Sequence, residues 1–167
     1  GEVIDLGGGC ELEVVHLPGH SQGSVGFYWK KEGAMLAGDS LPGVGNNFHG
    51  LPILDEPAAY ERSLERVRAL PLEILVNGHP FSGLTTAGGT VIKGSGIGRY
   101  LEESRSFLDM LRAAADEVAG DLNRRPFTEL YDEVVDKLPA SIGLNKWDPA
   151  KVPFFSLATL LNCIQES

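Results

Sequence analysis

Polar and apolar residues alternate through the opening third of the chain and give way to repeats of three and four toward its end. Residues 11–17 (ELEVVHL) alternate and carry β-branched valines, the pattern of a strand with one covered face. Residues 2–5 predict a shorter strand before it, ended by Gly7-Gly8-Gly9, and Pro18-Gly19 ends the longer one. Two more strands are predicted at 24–30 (SVGFYWK) and 34–38 (AMLAG), joined through Lys31-Glu32-Gly33, a link short enough for a hairpin. Residues 41–52 hold two prolines and three glycines and read as a loop.

Helical spacing begins at residues 55–70, with Asp55 as candidate cap and Pro57 in the first turn, where a missing N–H costs nothing. Tyr60, Leu64, Val67 and Leu70 form its apolar face, and Pro71 ends it. Residues 72–78 (LEILVNG) are nearly all apolar, which predicts a strand buried on both faces. The longest helix is predicted over 96–119, where Ile97, Leu101, Ser104, Leu108, Leu111, Ala115 and Val118 recur at three and four before Gly120. Further helices are predicted at 128–138 and 156–164. Strands, helix, strand and then helices exclude an all-β sandwich and a plain helix bundle, and leave an α+β fold.

Composition narrows the function. The 167 residues are 43% hydrophobic, so a single domain with a sizeable core is expected. Twenty-three acids against fourteen bases give a net charge of -9, which argues against nucleic acid as a partner. The acidity is uneven: residues 1–56 carry eight acids and two bases. No run of eighteen apolar residues predicts a membrane span, and the opening residues lack the pattern of a signal peptide, so a cytoplasmic location is expected. Cys10 and Cys163 are too few for a disulfide scaffold and read as reduced thiols.

Three candidate metal-binding residues stand at predicted strand ends beside glycine or proline. His20 lies in Leu17-Pro18-Gly19-His20-Ser21, Asp39 in Ala37-Gly38-Asp39-Ser40, and His79 in Asn77-Gly78-His79-Pro80. Imidazole and carboxylate are the nitrogen and oxygen donors of zinc and related metals, and loops at strand ends hold ligands on a rigid support. Spacing by itself leaves a surface histidine and an ordinary Gly-Asp turn as alternatives. His16 alternates with Val15 and Leu17 and is expected to face away from the side they occupy. Phe48 and His49, in the loop after Asp39, are candidates for lining a substrate cleft. Ser21 could hydrogen-bond a ligand but has no base partner for nucleophilic catalysis. Gly94-Ser95-Gly96-Ile97-Gly98 lacks the lysine and the preceding strand of a phosphate loop.

The blocks ELEVVHLPGHSQGSVGFY, AMLAGDSLPG and ILVNGHP, in this order, resemble the C-terminal half of the metallo-β-lactamase fold superfamily, with the extra helical arm of its thioesterase, lactonase and glyoxalase II-like members. The resemblance implies half of an αββα sandwich: one mixed sheet with outer helices and a helical C-terminal arm. The whole of 1–167 would be a single-domain fragment, with 1–95 as core and 96–167 as a mainly helical arm. It also implies two divalent metal ions, with zinc the first choice and iron or manganese alternatives. His20 would ligate the first metal, Asp39 would bridge both and be the catalytic residue, and His79 would ligate the second. The implied activity is hydrolysis of a small acyl substrate (ester, thioester or lactone) through a metal-activated hydroxide. The superfamily's His-x-His-x-Asp-His motif does not occur in the chain, whose histidines are His16, His20, His49 and His79. A second polypeptide or a cleaved N-terminal half carrying that motif is therefore the expected partner. The strands before Gly38 would then have one face that this chain leaves bare. An iron-dependent oxidoreductase such as a sulfur dioxygenase, or a non-catalytic partner-binding half-fold, are the competing readings.

Overall fold

The computed structural model describes residues 1–45 and 50–166. Among these, six strands form one mixed sheet: β1 (Val3–Asp5), β2 (Glu11–His16), β3 (Val25–Trp29), β4 (Ala34–Gly38), β5 (Ile74–Asn77) and β6 (Val91–Lys93). They lie side by side in chain order. Every neighbouring pair is antiparallel except β4 and β5, which are parallel and therefore need a crossover. That crossover carries α1 (Pro57–Arg68), and α2 (Ser95–Ala119), α3 (Phe127–Lys137) and α4 (Phe154–Glu166) follow the sheet.

Strand register separates the two faces, because directly paired residues point the same way. Tyr28, Met35, Leu75 and Ile92 form one row across β3 to β6. The first three are buried, in a core shared with Tyr60, Leu64 and Val67 of α1 and Leu101 and Leu108 of α2. The other face carries an equally apolar row, Val14, Phe27, Leu36, Val76 and Val91, running unbroken from β2 to β6. None of the described residues buries it. Leu36 is 41% and Val91 50% exposed, and Val14, Phe27 and Val76 are only half-buried. Val25, Ile4 and Leu12 extend the same face. The strands before Gly38 thus do leave one face bare, and β5, expected to be covered on both sides, is covered here on one.

A second core gathers Phe107, Leu111, Ala115 and Val118 of α2 with Leu130, Tyr131 and Val134 of α3 and Leu160 and Ile164 of α4. Helix α2 is long enough to serve both cores. Cys163 is buried in this second core, and burial pushes its thiol up to about 12, so it packs as a small apolar group. Arg112 of α2 bonds Glu61 of α1 at 2.8 Å and Glu166 of α4 at 3.3 Å, tying three helices together.

Two details depart from the pattern read in the sequence. Asp55 does not cap α1. Glu56 holds the cap position without a side-chain bond, and the Ala58 N–H instead donates to Glu166 Oε2 at 2.8 Å, across from α4. Strand β6 escapes the sequence pattern because its three residues sit between glycine-rich stretches and give too short an alternation to register.

Candidate metal centre

Strands β2, β4 and β5 run in the same direction, so their C-terminal ends share one edge of the sheet. His20 follows β2, Asp39 directly follows β4, and His79 lies just beyond β5. The pairing of β4 with β5 shifts register between Leu36 and Gly38, a bulge that re-aims the chain at Asp39. His79 Nε2 lies 3.5 Å from Asp39 Oδ2. Gly78, next to His79 in sequence, stands close to Asp39: a Cβ here would come within 2.5 Å of Asp39 Oδ1, so any other residue would push the carboxylate aside. Gly19 is constrained likewise: its φ is +140°, and a Cβ would meet the Tyr60 backbone of α1 at 2.5 Å.

Each loop is held from behind. Helix α1 fixes the turn before His20: Ser63 Oγ donates to the Pro18 carbonyl at 2.6 Å, the Glu56 N–H to the Gly19 carbonyl at 3.0 Å, and Arg66 to the His16 carbonyl at 2.6 Å. His20 itself donates from Nδ1 to the Ile53 carbonyl at 3.1 Å, since a carbonyl can only accept. That bond sets the tautomer and leaves the Nε2 lone pair for a cation, the usual outer support of a metal-binding imidazole. Tyr100 donates to the Leu41 carbonyl at 2.6 Å, and Tyr60 Oη accepts the Gly43 N–H at 3.2 Å. Burial pushes both phenols well above their ordinary range, so they stay neutral hydrogen-bonding groups. Beyond His79, Glu103 of α2 accepts the Thr85 and Thr86 N–H groups at 3.2 and 3.1 Å. Burial opposes its ionisation, yet hydrogen bonds from Thr85, Thr86 and Arg99 hold its carboxyl down to about 2. The His79 ring meets Phe81 edge-on at 5.6 Å.

His20, Asp39 and His79 line one cleft of about 280 Å³, with walls from Leu51, Pro52, Ile53, Phe81 and Phe155. Two imidazoles and a carboxylate suit a divalent cation of borderline softness. Among the described residues, no group of three or more His, Cys, Asp or Glu is placed so that it could hold a metal ion; Asp39 and His79 stand as a pair, and His20 shares their cleft. Phe48 and His49 lie outside the described residues. His16 is exposed and bonds the Gln22 carbonyl at 2.8 Å through Nε2, away from Leu17 in the core. The Ser21 and Ser24 hydroxyls bond each other at 2.9 Å. Gly94 to Gly98 run into the start of α2 and, contrary to the sequence reading, do follow a strand, β6, though the phosphate-loop lysine is still absent from them.

Sequence reasoning missed the supports. Along α4, Ser156, Thr159 and Asn162 hydrogen-bond the Leu51, Pro52 and Leu54 carbonyls at 3.2, 2.8 and 3.0 Å, and Thr159 Oγ1 accepts the Leu54 N–H at 3.0 Å. They brace the segment whose Ile53 carbonyl orients His20. Their spacing of three in an otherwise apolar helix is the signal that could have found them. Thr159→Val keeps the shape but leaves the Leu54 N–H and Pro52 carbonyl unmet, so it should cost about 1–3 kcal/mol, read as a lowered Tm of the complete protein. An unchanged Tm would show that the brace contributes nothing.

The metallo-beta-lactamase superfamily profile matches residues 1–79. The hydroxyacylglutathione hydrolase of Aeromonas hydrophila subsp. hydrophila is 39% identical over 70 residues, covering 41% of this chain and 25% of its own length. That of Pseudomonas paraeruginosa is 28% identical over 136 residues, covering 77% of this chain and 51% of its own. The chain thus spans a quarter to about half the length of these curated relatives. A solved metallo-beta-lactamase family protein from Thermus thermophilus shares the fold with a TM-score of 0.62 at 22% identity, over 98% of this chain and 45% of that one.

Proposed function

The chain shares the fold of the metallo-β-lactamase superfamily, and from that premise we propose that it forms half of a metal-dependent hydrolase of a thioester, ester or lactone. The observation that carries the reading is the convergence of His20, Asp39 and His79 in one cleft at a single sheet edge. Relatives named hydroxyacylglutathione hydrolase favour a thioester. His20 and His79 would each give one nitrogen to the metals, and Asp39 would supply the anion that offsets repulsion between two neighbouring cations. Zinc suits these donors first, iron or manganese next. Bound there, the cations supply Lewis-acid activation of water and of the scissile carbonyl. The chain's own part is to hold the ligands still: Ile53 fixes the His20 ring, Phe81 braces His79, and Gly78 leaves room for the Asp39 carboxylate.

A second half, on another polypeptide or a cleaved N-terminal segment, would bring His-x-His-x-Asp-His. The bare row from Val14 to Val91 supports this, because contiguous apolar patches of that kind mark surfaces that another element covers. The complete protein should hydrolyse an acyl thioester, lose turnover on exhaustive chelation and regain it with zinc, iron or manganese. Full turnover in rigorously metal-free protein would overturn the reading.

A further inference from the structure

Charged residues make up 22% of the chain, yet, Asp39 apart, they are absent from the sequence segments that wall the cleft. Residues 14–29, which include His20, contain no Asp, Glu, Lys or Arg. The same holds for 40–54, 74–92 and 152–165, which surround Asp39, carry His79 and include Phe155. Asp39 is therefore the one formally charged side chain on the stretches that build the site. The apolar part of the lining includes Leu51, Pro52, Ile53, Phe81 and Phe155. Phe154, next in sequence to Phe155, is 78% exposed, but does not line the cleft. The volume, about 280 Å³, is just below the roughly 300–1,000 Å³ of small-molecule sites.

Resting on the hydrolase reading of this cleft, we propose that the part of the substrate seated on this chain is a short, neutral, apolar acyl group. A glutathione conjugate carries two carboxylates, and burying an anion without a cationic partner is costly. The described lining offers no lysine or arginine to meet them. An alkyl acyl chain needs no partner and gains from every methylene it takes out of water. Helix α4 is then more than a peripheral arm. Its Phe155 forms part of the acyl wall, and its Ser156 and Thr159 hold Leu51 and Pro52 in place.

The test uses the complete, metal-loaded protein with p-nitrophenyl acetate, butyrate and hexanoate, and S-lactoylglutathione. The expected result is that kcat/KM climbs with chain length, by about fourfold per methylene at most, with S-lactoylglutathione the poorest substrate. Phe155→Ala should flatten the climb. A flat series, or S-lactoylglutathione turned over faster than the hexanoate, overturns the proposal while leaving the hydrolase reading intact. No turnover of any of the four overturns the hydrolase reading instead. Calorimetric binding reads the cleft without chemistry or mutation: hexanamide should bind more tightly than propanamide, and S-methylglutathione should not bind. S-methylglutathione binding more tightly than hexanamide would overturn the proposal in that case too.

Discussion

Asp39→Asn should strip the complete protein of at least one metal ion per site and lower kcat/KM by more than about a hundredfold. The substitution keeps the side-chain shape, and the space beside Gly78 accommodates it, so the fold is expected to survive. In the proposed centre, what it removes is the negative charge that would offset the repulsion between two neighbouring cations. With that repulsion unopposed, one ion should leave. Changes in groups that merely support ligands cost about 10–100-fold in affinity or activity, so loss of a direct ligand should cost more. Elemental analysis beside thioester turnover checks this. A variant with wild-type metal and turnover would show that Asp39 is no ligand.

The second large effect concerns the bare sheet face. Leu36 stands at the centre of the row formed with Val14, Phe27, Val76 and Val91, and it is 41% exposed in this chain. Obligate interfaces of this apolar kind bury about 2,000 Å² or more in total. Leu36→Asp leaves the chain's own core untouched but would put an unpaired charge under the proposed covering half, at an effective cost of several kcal/mol. Association should weaken at least about a thousandfold. A separate partner chain would dissociate, seen by sedimentation; a contiguous half would show a large fall in Tm. Val3→Asp is the control, because Val3 pairs with Glu13 on the opposite face and is 57% exposed. Equal behaviour of the two variants, or a monodisperse and well-folded 17.9 kDa monomer as the complete protein, would contradict the half-fold.

Much of this was legible because it is written in local patterns. Alternation in ELEVVHL placed β2, the short apolar run AMLAG placed β4, and spacing of three and four placed α1 and α2 to within a few residues. Glycine and proline beside His20, Asp39 and His79 marked loops at strand ends, and parallel pairing of β4 with β5 brought the last two together. What sequence could not give was long-range support. The Ile53 carbonyl that orients His20 is 33 residues away, and the α4 brace on that segment is more than 100. Backbone carbonyls carry no residue signature, so contacts of this kind follow only from the folded geometry. Glu103 was equally hidden: one acid on a long amphipathic helix reads as solvated surface until the loop after His79 is seen folded onto it.

Bound metal, counted on the complete protein purified without added metal, bears most directly on the site. The comparison is wild type against His20→Ala, His79→Ala and His16→Ala. Two ions per site are expected in the wild type, with at least one lost in each of the first two variants and none lost in the third, because His16 points to the Gln22 carbonyl outside the cleft. Undiminished metal in both His20→Ala and His79→Ala, with the fold intact, would contradict a metal centre at this sheet edge.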